Sequence, residues 1–232
     1  VQPYYADDTV TLFHGDCRDI PEWLQADVLV TDPPYGRNWK QGNTKSRRRP
    51  ADSHQGIVGD QDTTMRDAVL LAWGTRPAIV FGDLLIPAPT GTKQVGAYRK
   101  PVDTGTKGAH GGFRRDVEGF YLVGSWRAGL GGTSSVLATT TPMQGGSSGP
   151  SARYGHPHAK PLDILLELIG HCPPGAIADP FAGSGSTLVA AKQLGRRAIG
   201  VEVDERYCEM AARRLSQGVL PFADDVGIGK TR

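Results

Sequence analysis

A doubly wound α/β sheet, mostly parallel, is the fold this chain predicts, and three observations carry the prediction. Short apolar strands alternate with helical stretches. Two of the strands end in an aspartate at a turn, and residues 176–203 read as a strand, a Gly-x-Gly turn, a helix and a second strand. Such alternation gives parallel strands covered on both faces, with ligands held beyond the carboxyl ends of the strands where their order changes direction. At 232 residues the chain suits one α/β domain with a large core.

The elements follow in order. Residues 9–14 (Thr-Val-Thr-Leu-Phe-His) form a strand leading into Gly15-Asp16-Cys17, and Pro21 to Leu24 a short helical turn. Ala26 to Val30 is the next strand. It delivers Thr31-Asp32-Pro33-Pro34-Tyr35-Gly36, the stretch around which the rest is organised. Each proline fixes its φ and lacks an N–H, so the surrounding carbonyls stand free as acceptors on a stiff backbone. Such a loop suits a planar group with two N–H donors; it equally suits a Pro-Pro turn with Asp32 bonded to local backbone.

From Arg37 to Arg49 six basic residues (Arg37, Lys40, Lys45, Arg47, Arg48, Arg49) stand without an acidic one, with Trp39 among them. A solvated loop is the ordinary reading of a charge run, but its position beside the Asp32 loop favours contact with phosphates. Residues 62–73 carry an amphipathic helical pattern and Ala78 to Phe81 a buried strand, an order that favours parallel pairing. Val95 to Tyr98 and Gly119 to Val123 are strands, Lys107 to Arg115 a Gly-rich basic loop, and residues 124–155 a long connection interrupted by the short strand Val136 to Ala138.

Leu162 to Ile169 is a helix begun by Pro161. Ala176 to Ala178 is a strand ending at Asp179. The turn Phe181 to Ser186, the helix Thr187 to Leu194 and the strand Arg197 to Val203, with Glu202 near its end, complete the unit. Gly183 and Gly185 permit close backbone approach of a nucleotide-like ligand, and an acidic residue ending the next strand can hold ribose hydroxyls. Leu188 stands where the dinucleotide fingerprint has its third glycine, which speaks against NAD. Residues 216–232 read as a fraying tail.

Composition bounds the function. No apolar run approaches the length of a membrane span, and the first residues lack a charged start followed by an apolar stretch, so a cytoplasmic protein is expected. Cys17, Cys172 and Cys208 are odd in number and not closely spaced, which argues against a disulfide framework and structural zinc. His156 and His158 alternate, but no carboxylate or cysteine cluster accompanies them, so no metal is expected. Net charge is +2, so any nucleic-acid surface is local.

The joint pattern of Asp179-Pro180-Phe181-Ala182-Gly183-Ser184-Gly185, with Thr31-Asp32-Pro33-Pro34-Tyr35 before it in the chain, resembles the amino-DNA methyltransferases of the beta motif order. The likeness extends to Gly15-Asp16-Cys17, to Glu118 through Val123 and to His156 through Pro161, covering most of residues 10–215. The resemblance implies a Rossmann-like methyltransferase sheet with an antiparallel strand, and S-adenosylmethionine as cofactor. Phe181, Gly183 and Gly185 would lie against it, with Ser186, Thr187 and Asp32 in the same pocket. Glu202 would hold the ribose, Asp16 and Cys17 would lie near the adenine, Lys160 near the carboxylate and Asp179 near the methionine amino group.

By the same resemblance, Asp32, Pro33, Pro34 and Tyr35 are the catalytic set, and Arg37, Trp39, Lys40, Lys45, Arg47, Arg48 and Arg49 the DNA-binding set. Asp rather than Ser before Pro-Pro-Tyr leans toward adenine N6, with cytosine N4 as the alternative. An RNA or protein-amide methyltransferase and a silent partner subunit are weaker alternatives. The expected arrangement is a single domain over residues 1–215 with short target-recognition loops at 37–60, 93–115 and 125–155. A restriction-modification context and a homodimer are compatible with it.

Overall fold

The computed structural model describes residues 1–37, 59–101, 109–129, 132–139 and 159–217. Chain order is β1 (Tyr5–Ala6), β2 (Val10–His14), a 3-10 helix (Pro21–Gln25), β3 (Val28–Thr31), α1 (Thr64–Trp73), β4 (Ala78–Gly82), β5 (Thr92–Arg99), β6 (Val117–Val123) and β7 (Val136–Ala138). There follow α2 (Leu162–Gly170), β8 (Ile177–Asp179), α3 (Ser186–Gln193), β9 (Ala198–Glu202) and α4 (Glu205–Ser216).

Among the described residues the strands form one nine-stranded sheet in the order β1-β2-β9-β8-β3-β4-β6-β5-β7. From β2 across to β4 every neighbouring pair is parallel. Two strands run against this direction: β6, antiparallel to both β4 and β5, and the short β1 at the far edge. The expected sheet with an antiparallel strand is therefore present, with β1 as a second reversal that two residues of sequence could not announce.

Period-2 alternation sorts each strand's side chains to opposite faces. Val28, Val30, Ile79, Phe81 and Phe120 pack under Leu165, Ile169, Leu188, Ala211 and Leu215 from α2, α3 and α4. Leu29, Val80, Tyr121 and Val201 pack on the other face with Trp23 from the 3-10 helix and Val69 and Trp73 from α1. Trp23 and Trp73 stack with centroids 5.8 Å apart, and the Arg76 guanidinium lies 3.6 Å over the Trp73 ring. Arg76 also donates to the carbonyls of Leu24 and Ala26, tying α1's exit to the 3-10 helix.

The order of strands decides where the site lies. The chain leaves β3 toward β4 on one side and leaves β8 toward β9 on the other, so the direction of winding reverses between β3 and β8. Val28 pairs with Ile177 and Leu29 with Ala178, which sets the Asp32 loop and the Asp179 turn side by side. A crevice opens at such a switch point because the two connections diverge there.

Candidate active site

Four neighbouring strands, β2, β9, β8 and β3, bring four sequence-remote acidic turns to one sheet end. His14 pairs with Glu202, so Asp16 and Cys17 emerge beside the end of β9, and the Gly15 N–H donates to the Glu202 carbonyl at 2.9 Å. Thr31 at the end of β3 donates its hydroxyl to Asp179 Oδ1 at 2.7 Å, a bond between residues 148 apart in the chain.

The turn after β8 is built around two carboxyls. Asp179, only 2% exposed, accepts from the Thr31 hydroxyl, the Thr187 hydroxyl and the Phe181 N–H. Burial pushes its carboxyl up to about 7, and the hydrogen bonds only partly offset that. Glu202 is also buried, which raises its carboxyl, while N–H groups of Gly183 (2.7 Å) and Asp204 (2.8 Å) stabilise the charge. Gly183 and Gly185 take φ of 51° and 79°, in the region that disfavours a side chain. Arg214 from α4 donates to the Ser184 carbonyl at 2.6 Å and to the hydroxyls of Ser184 and Ser186 at 3.1 Å, so the turn is held from behind.

Asp16 lies in a bidentate pair with Arg18, which lowers its carboxyl, and Cys17 is buried. Burial, with the Asp16 charge beside it, pushes the Cys17 thiol to about 11, so it is no thiolate nucleophile.

The Asp32 loop is gripped from both ends. Tyr35 donates its hydroxyl to Asp32 Oδ1 at 2.7 Å, and Lys160 donates to Asp32 Oδ2 at 2.5 Å. The Lys160 ammonium lies 5.3 Å from the Tyr35 ring and 5.3 Å from the Phe81 ring. Past Tyr35, the N–H groups of Gly36 and Arg37 donate to Oδ1 of the buried Asp60 at 2.8 and 3.3 Å. Gly36 has φ 75°, and a Cβ there would fall 2.7 Å from the Asp62 backbone, so only glycine fits. The Arg37 guanidinium pairs with Asp83.

Of the expected site residues, Asp16, Cys17, Asp32 to Tyr35, Asp179, Phe181, Gly183, Gly185, Ser186, Thr187 and Glu202 gather at this one end of the sheet. Lys160 joins the Asp32 side of the group by its ion pair. Trp39, Lys40, Lys45, Arg47, Arg48 and Arg49 lie outside the described residues, as do His156 and His158. Thr31, Tyr98, Lys100, Glu118 and Arg214 belong to the constellation without having been assigned a role from sequence.

The family model for DNA methylases of the N6/N4 class matches residues 69–213. YubD, a methylase by name, from Escherichia coli (strain K12), is 31% identical over 224 residues, covering 87% of this chain and 88% of that protein. The DNA adenine methyltransferase YhdJ of the same organism is 38% identical over 91 residues, 36% of this chain and 31% of YhdJ. The crystal structure of the M1.HpyAVI-SAM complex superposes with a TM-score of 0.59 at 19% identity, covering 89% of this chain and 99% of that one, and so shares its fold.

Fold, switch point and family match together define an S-adenosylmethionine-dependent DNA methyltransferase. This chain belongs to the N6/N4 amino-DNA methyltransferase family, whose members methylate the exocyclic amine of adenine or cytosine. Among the described residues no helix is long and apolar enough to cross a membrane.

Asp179 provides the test of fit for the cofactor. A buried carboxyl raised to about 7, with only hydroxyl and amide donors around it, favours a cation at its side. The α-amino group of S-adenosylmethionine is such a cation, and the Gly183 to Ser186 turn beside it lets a ligand approach the backbone.

Proposed function

We propose that this protein methylates adenine at N6 in duplex DNA. The observation that carries the reading is the position of Asp32, a carboxylate held at the switch point beside the cofactor turn through the Thr31 to Asp179 bond. Asp rather than Ser before Pro-Pro-Tyr, and the local likeness to YhdJ, both support adenine.

S-adenosylmethionine supplies an electrophilic methyl group on a sulfonium. Asp179 would hold its amino group, Glu202 its ribose, and Asp16 and Cys17 would border its adenine, with Phe181, Gly183, Gly185, Ser186 and Thr187 forming the turn against it. The target amine is a poor nucleophile because its lone pair is delocalised into the ring. Asp32 and the Pro33 carbonyl accept its two hydrogens, which favours a tetrahedral nitrogen with a localised lone pair. Tyr35 stacks on the base. No strong base is needed before transfer, since the nitrogen becomes acidic only once methylated; its proton then leaves along the Asp32 hydrogen bond.

The base is out of reach inside a duplex, so it must be flipped out at a cost of roughly a few kcal/mol. Arg37, Trp39, Lys40, Lys45, Arg47, Arg48 and Arg49 are assigned to gripping the backbone and filling the vacated stack.

The test is mass spectrometry of nucleosides from unmethylated duplex DNA incubated with protein and S-adenosylmethionine, beside Asp32→Ala. N6-methyladenine with the wild type alone is the expected result. N4-methylcytosine in its place would move the reading to cytosine, whose amine offers the same donors to this loop.

A further inference from the structure

Four charged side chains, Lys160 buried and the others half-buried, alternate in sign beside the Asp32 loop: Asp32, Lys160, Glu118 and Lys100. Lys160 Nζ stands 2.5 Å from Asp32 Oδ2 and 3.5 Å from Glu118 Oε2, and its side chain is 8% exposed. Glu118 Oε1 pairs with Lys100, and Oε2 also accepts the hydroxyl of Tyr98. Tyr98 on β5 lies directly opposite Glu118 on β6, so the antiparallel ladder itself fixes this contact. Because β6 runs against its neighbours, its first residues lie at the carboxyl end of the parallel strands, which is what carries Glu118 to the site.

We propose that Glu118 is a positioning residue for methyl transfer: by sharing the Lys160 ammonium, it keeps that cation from being held by Asp32 alone, and so leaves Asp32 available to the target amine. This rests on the reading of Asp32 as the amine's acceptor.

The physics is one of competition for a single cation. A lone ammonium buried against a lone carboxylate forms a closed pair, in which the carboxylate is a weaker acceptor for a neutral N–H donor. A second carboxylate on the same ammonium divides its attraction. Glu118 is suited to this because it is firmly ionised: burial opposes its charge, yet Lys160 and Lys100 bring its carboxyl down to about 2. Lys160 in turn stays charged, since Asp32 and Glu118 outweigh the effect of its burial and raise its ammonium. Lys100, the fourth charge, balances Glu118 at Oε1, and Tyr98 fixes which oxygen of Glu118 faces Lys160.

The experiment is a double-mutant cycle on methyl transfer to duplex DNA, with Glu118→Gln, Lys160→Met and the pair, and Asp32→Asn as reference. S-adenosylmethionine affinity is measured by calorimetry, and folding by thermal unfolding. Glu118→Gln keeps the shape and the acceptor for Tyr98 but removes the charge. The expected result is a kcat reduced tenfold or more with cofactor affinity within twofold of wild type, and no further effect of Glu118→Gln once Lys160 is Met.

Wild-type kcat in Glu118→Gln beside an inactive Asp32→Asn overturns the role of Glu118 while leaving Asp32's role standing. Additive effects of the two substitutions overturn it as well, because Glu118 would then act other than through Lys160. Wild-type turnover in Asp32→Asn would instead remove the reading of Asp32 on which the inference rests. Should Glu118→Gln fail to fold, Lys100→Met gives the second test. It leaves Glu118 bound to Lys160 more strongly, and retained kcat with unchanged cofactor affinity is the supporting result; a loss as large as that expected of Glu118→Gln overturns the proposal.

Discussion

At the scale of single residues, the two carboxylates at the switch point differ in what surrounds them, and that difference sets their chemistry. Asp32 sits against an ammonium and a phenol, whereas Asp179 has only neutral donors. The Asp179 carboxyl is therefore raised from 3.8 to about 7 by burial, so the folded chain holds a proton there that the unfolded chain has lost. Stability of the cofactor-free protein falls as pH climbs from about 4 to about 7, on the order of a few kcal/mol in all. With the cofactor ammonium against Asp179, as proposed, binding of S-adenosylmethionine is expected to release that proton. Calorimetry at pH 6 in buffers of different ionisation enthalpy is expected to show close to one proton released per site, and none in Asp179→Asn. Aspartates ending strands were legible from sequence, but Thr31, Tyr98 and Glu118 were not assigned roles. Their partners lie on other strands, and only the pairing of β3 with β8 and of β5 with β6 brings the groups together.

At the scale of elements, the Gly183 to Ser186 turn is shaped by the helix behind it. Gly185 has φ 79°, and a Cβ there would lie 2.8 Å from the Cβ of Ala211 on α4. Gly185→Ala is expected to destabilise by about 2 kcal/mol or more through its backbone conformation and this crowding, lowering Tm by roughly 4–8 °C in thermal unfolding. Arg214 reinforces the same contact from one turn further along α4, and Arg214→Ala is expected to weaken S-adenosylmethionine binding severalfold in calorimetry by loosening Ser184 and Ser186. α4 itself was not anticipated from the sequence. Its buried stripe is Cys208, Ala211 and Leu215, two small residues and one large, set among Glu205, Arg206, Glu209, Arg213 and Arg214. A stripe that modest is masked by charge, although Asp204 marks its start by accepting the Arg206 N–H. The strands of the central sheet were easier, because each is an uninterrupted apolar run buried on both faces.

At the scale of the whole molecule, a net charge of +2 means that attraction to DNA rests on a local concentration of cations. Residues 37–49 hold six basic residues, of which Arg37 is already paired with Asp83, and this is the stretch proposed to meet phosphates. Replacing Arg47, Arg48 and Arg49 together by alanine is expected to lower the slope of log affinity against log salt by about three, measured by fluorescence anisotropy on duplex DNA; an unchanged slope would remove that stretch from the phosphate-binding surface. Doubly wound topology was readable from the alternation of elements, and the meeting of the Asp32 loop with the Asp179 turn followed from where such sheets reverse. Which strands flank β4 was not readable, since β5 and β6 are joined by ladders that no local pattern declares.

The buried carboxylate of Asp60 has a wider meaning. It clasps the amides of Gly36 and Arg37, so the chain leaves the Asp32 loop and returns to it at one closed point. Whatever length of chain runs between, its two ends are already joined, and lengthening it costs only about 0.6 kcal/mol per doubling. Exchanging the segment between residues 37 and 59 for one of another length is therefore expected to leave the Asp32 loop anchored through Asp60, with thermal unfolding as the check.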